Sequence, residues 1–448
     1  LLRAGPEGSE KTEIIDINHF NNSEMKHQGR FLAHLSVLVP LALFLLPVKT
    51  AAQANSTRNA ALINGLWFTG KTFEARVWYS VNGQFTARKP ARIDTTLDLG
   101  GLYIVPPFAE AHNHNLNGGN PLNPKAVAKY LADGVFYVKE PGNFYLSDEE
   151  KKQLNLNQPT GIDVSLAQGA SLTATWGHPY QLAEQVWFKF GYAKGPIDSL
   201  NGRRFFTIDS EQDLEKKWPE ILKQHPDFIK TILWSSDEYQ QRKQNKAFYG
   251  QAGLKPEFLE MIVKKAHAAN LRVSTHIINA HDFHVAVTAG VDEIAHLPIT
   301  GLTPIAADDA KLAARRGVVV VTTCSVPVSL PPPILPRSLL PQVLQVQKDN
   351  LKLLHKHGVT LAIGSDIPTD SSVEEFETIR KTGVFDNLTL LKMWTENTPG
   401  TIFPTRKIGM LKEGYQASFL ALEGNPLDNL DHVRKIRYRF KQGRLLRP

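Results

Sequence analysis

Two histidines one residue apart, His112 and His114 in PPFAEAHNHN, close an apolar run and could hold a metal ion. The same H-x-H spacing recurs at His355 and His357 in LLHKHG. With 15 histidines in 448 residues, spacing alone separates neither pair from chance. Four more apolar runs carry or end in groups of similar kind: Lys230 in DFIKTILW, His276 in RVSTHI, His296 in EIAHLP and Asp366 in VTLAIGSD. Imidazole and carboxylate donors suit Zn²⁺ and similar divalent ions. Each residue alone has an ordinary explanation. A lone strand-end histidine is more often a hydrogen-bonded core or surface group, Asp366 could cap a following helix, and Lys230 could reach solvent from an outer face. The joint placement is what argues for a metal, because buried polar groups are costly unless paired or metal-bound.

The elements that would position these residues follow from the hydrophobic pattern. Eight short apolar runs (LYIVPPF, GVFYVKE, DVSLA, DFIKTILW, RVSTHI, EIAHLP, GVVVVTTCS and VTLAIGSD) alternate with helical periodicity such as PEFLEMIVKKAHAANL, where Pro256 suits a first helical position. That alternation predicts a (β/α)₈ TIM-like barrel. In such a barrel catalytic groups collect at the C-terminal ends of strands, and five of the eight runs offer a His, Lys or Asp there. His112 and His114 share a face because strand side chains alternate. His355 and His357 instead close the helical pattern QVLQVQKDNLKLLHKHG before Gly358, where a cation suits the helix dipole, so that pair reads as structural.

Both ends of the mature chain read as short antiparallel strands, for instance ARVWYSV and HVRKIRYRFKQGRLL. The expected organisation is a small β-sandwich built from residues 55–105 and 400–448, flanking a hydrolase barrel over 106–399. Residues 1–24 read as an upstream segment outside the native protein, and 25–54 as a signal peptide. Met25 opens a basic stretch, an apolar run follows, and Ala52-Gln53-Ala54 fits a cleavage site. That plan predicts a secreted or periplasmic protein with no stable membrane span after cleavage. The lone Cys324 permits no internal disulfide. A net charge of +7 without a dense Lys/Arg block argues against nucleic acid, and 42% hydrophobic with 21% charged residues describes a globular protein. Neither a dinucleotide nor a P-loop glycine motif occurs.

Taken together, H-x-H on the first run, Lys on the fourth, His on the fifth and sixth and Asp on the eighth resemble the amidohydrolase superfamily. Its imidazolonepropionase-like and metal-dependent, prolidase-like dipeptidase branch is the nearest in look. The resemblance runs over essentially the whole mature chain, through IVPPFAEAHNH, DFIK, VSTH, EIAH, IGSD and GMLKEGYQASFLALEGNPL. It implies two divalent ions, zinc first among them. His112, His114 and Asp366 would hold one ion and His276 and His296 the other, with Lys230 carboxylated to a bridging carbamate. It also implies attack on a C–N bond of an amide, dipeptide or cyclic amide by a metal-bridging hydroxide, with Asp366 shuttling the proton. Lys139, on the second run, is the rival carbamate candidate.

Asn113 and Asn115 depart from the family pattern, and GASLTATWGHPY matches its TGGHG segment only in part, with His178 a candidate for polarising a substrate carbonyl. The loop SSDEYQQRKQNKAFYG offers Tyr239, Arg242, Lys243, Lys246 and Tyr249, of which Tyr239, Arg242 and Tyr249 are the candidates for holding a substrate carboxylate. Trp176 and Trp187 could line a pocket, although core packing is the default for both. The expected partner is a small amide or dipeptide, and a homo-oligomer is compatible with the pattern. Two other readings stay open: a metal-binding protein of this fold without turnover, and a mononuclear deaminase or isomerase.

Overall fold

The computed structural model describes residues 58–188, 195–330, 332 and 335–446. The expected upstream segment 1–24 and signal peptide 25–54 lie outside the described residues. Among the described residues no helix is long and apolar enough to cross a membrane.

The described residues begin with β1 (Ala60–Phe68), β2 (Phe73–Val81), β3 (Gln84–Thr86), β4 (Thr95–Asp98) and β5 (Tyr103–Val105). The chain then lays down three parallel strands, β6 (Phe108–Glu110), β7 (Val135–Glu140) and β8 (Asp163–Leu166). A second parallel sheet follows from β9 (Ser171–Thr173), β10 (Phe206–Thr207), β11 (Phe228–Ile232), β12 (Arg272–His276), β13 (Glu293–Ile294), β14 (Val319–Val321) and β15 (Thr360–Ala362), in the order β10-β9-β11-β12-β13-β14-β15. Two hydrogen bonds link the parallel sheets, one from just before β11 to β8 and one from just after β6 to just after β15. Asp227 N donates to Leu166 O (2.9 Å), and Ala111 N donates to Ile363 O (2.9 Å).

Strands β7, β8 and β11 are buried along their whole length, as parallel strands covered on both faces must be. Their few polar side chains therefore stand out. Helices intervene: Pro256–Ala268, with proline in its first turn, lies between β11 and β12, and Ala280–Ala289 and Ala307–Arg316 precede β13 and β14. The last two end on Gly290 (φ 85°) and Gly317 (φ 66°), left-handed positions that a side chain would strain. The first apolar run does not form one strand. Pro106 and Pro107 interrupt it, so β5 and β6 belong to different sheets.

After β15 the chain returns as β16 (Phe419–Leu422), β17 (Ile436–Lys441) and β18 (Arg444–Leu446). These pair onto β5 to give one eight-stranded sheet, β18-β17-β16-β5-β1-β2-β3 with β4 alongside β1. The sheet curls back on itself, since Phe85 N donates to Tyr415 O (2.8 Å) and Ala417 N to Gly83 O (2.7 Å). Trp67, Trp78, Phe85 and Phe419 fill the curl, their centroids 5.4–6.5 Å from that of Trp67. The sequence-based β-sandwich is thus a single folded-over sheet made from both ends.

Candidate metal centre

The six expected ligands stand at the C-terminal side of the parallel strands. His112 and His114 follow β6, Lys230 lies within β11, His276 ends β12, His296 follows β13 and Asp366 follows β15. The strand ends are fixed from behind. Trp394 stacks on Phe108 at 3.8 Å, and its Nε1 donates to Ala109 O (3.1 Å), holding β6 in place. Buried Glu110 accepts from His112 N (3.1 Å), Ser365 N (2.8 Å) and Ser365 Oγ (2.7 Å), tying β6 to the segment after β15.

Proton placement identifies what the first cluster can hold. His112 Nδ1 lies 2.7 Å from Ala295 O and His114 Nδ1 3.3 Å from Gly142 O. A carbonyl only accepts, so each Nδ1 carries its ring's proton and each Nε2 presents a lone pair. Those two bare Nε2 atoms face each other at 3.3 Å, and Asp366 Oδ1 lies 3.6 Å from the first and 3.4 Å from the second. Three acceptors so close repel one another unless a cation lies between them. Tetrahedral ligands about 2.0–2.1 Å from a zinc ion stand about 3.4 Å apart, which is this spacing. Among the described residues His112, His114 and Asp366 are the group that could hold a metal.

His296 and His276 meet differently. His296 Nδ1 donates to Leu297 O (3.1 Å), so its Nε2 accepts from His276 Nδ1 at 2.7 Å. That leaves His276 Nε2 buried and without a hydrogen-bond partner. Burial, reinforced by neighbouring positive charge, keeps the rings neutral. His112, His114 and His276 are pushed well below the usual imidazole range, and His296 and His178 to about 3. The charge of Lys230 contributes to every one of these shifts.

The two lysines on parallel strands part company here. Lys139 Nζ donates to Glu293 Oε1 (2.7 Å) and lies 4.2 Å over the Phe228 ring, so a carboxylate partner opposes the downward shift that burial gives its ammonium. Lys230, 5% exposed, has a buried Nζ without a hydrogen-bond partner. Burial drives Lys230 down and Asp366 up, each opposed by the other's charge. Asp366 sits at φ 51° with its N–H donating to His112 O (2.8 Å), a left-handed backbone that turns its carboxyl toward the histidines.

His178 joins the site. Its ring stacks on His276 (4.8 Å) and Trp234 (5.3 Å), and Trp234 also stacks on His276 (5.5 Å). The charged loop behaves otherwise. Arg242 is engaged by Glu238 (2.6 Å) and Gln251 O (3.0 Å), Tyr249 donates to Glu184 (2.8 Å), and Lys243 lies over the half-buried Tyr239 ring at 5.9 Å. Trp176 packs with Tyr180 and Phe205, below Lys246. The Trp187 side chain lies outside the described residues. His355, at an exposed helix end, packs edge-on against Phe385 (5.1 Å).

The two asparagines turn out to be braces. Asn113 Nδ2 donates to Ser365 Oγ (2.8 Å) and Ile367 O (3.2 Å), while its Oδ1 accepts from His114 N (2.7 Å). Asn115 Nδ2 donates to Asp370 O (2.8 Å), and its Oδ1 accepts from Thr369 N (2.7 Å). Both hold the loop that carries Asp366. Sequence reasoning passed over Trp234, Glu110, Glu293 and the buried Arg204, since none belongs to a spaced motif. An isolated polar residue inside an apolar strand was the available signal for the two glutamates.

Comparisons with known proteins show what the chain as a whole is similar to. Residues 237–446 match the amidohydrolase family. Ochratoxinase of Aspergillus niger is 24% identical over 423 residues, covering 87% of this chain and 83% of that protein. Its crystal structure superposes with a TM-score of 0.69 at 20% identity, covering 87% of this chain and 96% of that one. A prolidase solved with N-methylphosphonate-L-proline gives a TM-score of 0.67 at 18% identity over 87% of this chain and 99% of that one. A Xaa-Pro dipeptidase with methionine in its active site gives 0.68 at 17% identity, over 87% of this chain and 100% of that one.

Proposed function

From the match of residues 237–446 to the amidohydrolase family and the likeness to ochratoxinase and prolidase, we propose that the chain is an amidohydrolase of the dipeptidase-like branch, a metal-dependent hydrolase of amide or dipeptide C–N bonds. The observation that carries the proposal is the pair of bare imidazole nitrogens facing each other at 3.3 Å beside Asp366. The same proposal takes the two linked parallel sheets as one closed (β/α)₈ barrel over 106–399, the folded-over sheet as its companion from 55–105 and 400–448, and residues 25–54 as an export signal.

Divalent ions bound here would supply Lewis acidity, polarising a carbonyl and lowering the pKa of water from about 16 to about 7. The protein's own groups do the rest. Lys230, driven toward its neutral amine by burial, is the form that adds carbon dioxide, giving a carbamate and releasing a proton. The carbamate is an anionic oxygen ligand where an ammonium would repel cations. Lys139 is unsuited to that role because Glu293 holds its charge. Asp366, raised by burial, is matched to taking a proton from the attacking water and handing it to the leaving nitrogen. His178, neutral and beside His276, offers an N–H to the scissile carbonyl.

A one-ion site is the second reading, favoured by the 2.7 Å hydrogen bond that ties His276 to His296. Metal counting on the full chain separates the two. About two equivalents, falling sharply in Lys230→Ala but not per folded chain in Lys139→Ala, is the expected result. One equivalent supports the second reading, and a content unchanged in both Lys230→Ala and His276→Ala overturns the two-ion site.

A further inference from the structure

The loop after β11 opens on a strained bend. Ser235 sits at φ 45°, in the left-handed region that side chains disfavour. Buried Asp282, in the first turn of the helix Ala280–Ala289, holds that bend. Its Oδ1 accepts from Ser236 N (2.7 Å) and Ser236 Oγ (2.6 Å), and its Oδ2 from Ser235 N (3.0 Å) and Ile278 N (3.0 Å). A carboxylate has about four acceptor sites, and these bonds fill them. Oδ2 thereby joins the loop after β11 to the loop after β12.

Trp234 lies in the stretch that these bonds close. Just before it Leu233 N donates to His276 O (3.0 Å), and a Cβ on Gly253 would stand 2.6 Å from Trp234 N, so the backbone is gripped on both sides. The indole packs against Ile278, Ile299 and Val326, and it lies 14° from the plane of His276 and 29° from that of His178. The His276 ring makes one hydrogen bond, from Nδ1 to His296 Nε2 (2.7 Å), and one bond leaves a ring free to turn about it. If His296 gives its Nε2 to an ion, that bond is lost, and the stacked rings are what still orients His276. We propose that Asp282 is a positioning residue of the metal centre. Through the backbones of two loops it sets Trp234 against His276 and fixes the bare His276 Nε2 for an ion. This rests on the two-ion reading and names what holds the second ion's ligand in place.

The test titrates zinc into the chelator-treated full chain, counted per folded molecule. Asp282→Asn puts an amide nitrogen where one carboxylate oxygen stood, so one pair of donors loses its acceptor. Affinity for the second equivalent is expected to fall about 10–100-fold, while the first, held by His112, His114 and Asp366, binds as in wild type. Trp234→Ala should show the same selective fall, and Trp234→Phe, which keeps a ring, much less of it. Asp282→Asn combined with Trp234→Ala should lose no more than the worse single change, because both remove one effect. Asp282→Glu, which keeps the charge and displaces the oxygens, serves if the Asn variant does not fold. An equal fall for both equivalents, or a double-variant loss equal to the sum of the two, overturns the proposal and makes Asp282 a general brace of the fold.

A second readout needs no metal. In chelator-treated protein with isotope-labelled histidine, the NMR signals of the His276 ring are identified by their loss in His276→Gln. They should move in Asp282→Asn, and should not move further when Asp282→Asn is added to Trp234→Ala. If wild type takes up a single equivalent, the two-ion reading fails. A His276 signal that moves with Asp282 only while Trp234 is present still supports the positioning role, and one that stays in place overturns it.

Discussion

At His112 the Ala295 carbonyl accepts the hydrogen bond of one ring nitrogen and leaves the other bare, and the Leu297 carbonyl fixes His296 in the same way, its other nitrogen accepting from His276. These neutral, buried rings make the metal-free protein sensitive to acid. In the unfolded chain the imidazoles bind protons below about pH 6.5, whereas folded His178 and His296 do so only near 3. The folded-state values are depressed, so the stability these rings contribute is present above about pH 6.5 and is lost as pH falls toward 3. Chelator-treated protein should therefore melt at a lower temperature at pH 5 than at pH 7.5, and should take up protons on unfolding at pH 5. An unchanged melting temperature with no uptake would contradict buried neutral rings. The residue types of this cluster were readable in the chain, since each interrupts or ends an apolar run. The roles of Lys230 and Lys139 were not separable there. What divides them is Glu293, a partner 154 positions from Lys139 that only the folded sheet delivers.

The strand ends act through the loops that follow them. Asn113 and Asn115 clamp the segment from Asp366 to Asp370, and Glu110 clamps Ser365 from below. Asn113→Ala should thus lower activity or metal affinity about 10–100-fold, the usual cost of losing a partner that orients a ligand. Its thermal stability should move far less than its metal affinity, as paired melting and metal titrations would show. Equal loss in both would make the asparagine a general packing residue. The alternating pattern of apolar runs and helices was plain in the sequence because parallel strands buried on both faces are apolar throughout. The division of LYIVPPF into β5 and β6 was less so, because two adjacent prolines end pairing on one sheet without revealing that the next strand joins another. The asparagines' bracing role was also hidden, as their partners lie about 250 positions away.

Across the whole molecule, Lys441 on β17 ties the folded-over sheet to the parallel strands. Its buried Nζ reaches Asp163 Oδ1 on β8 (2.6 Å) and the carbonyls of Gln158 and Gly161 (both 2.7 Å), and Arg406 takes the other oxygen of Asp163 (2.6 Å). Lys441→Met should destabilise by about 3 kcal/mol, the low end for breaking a buried pair, because it leaves the Asp163 carboxylate to Arg406 alone and two carbonyls without their donor. Arg76→Ala, which breaks the half-exposed pair with Glu74, should cost no more than about 1 kcal/mol. Urea unfolding of both variants checks the contrast. A Lys441→Met loss no greater than that of Arg76→Ala would show that the two sheets hold together without this tie. That the ends unite was foreseeable from their matching β character, whereas the lysine in KQG looked like one of many surface charges. The union also has a consequence for timing. β5, made early, finds its neighbour β16 only after some three hundred further residues have been synthesised. A ribosome-bound chain therefore carries an open β edge for most of its manufacture, and long-range closure of this kind is slow and prone to mispairing. Whatever escorts the newborn chain must shield that edge until the final strands emerge.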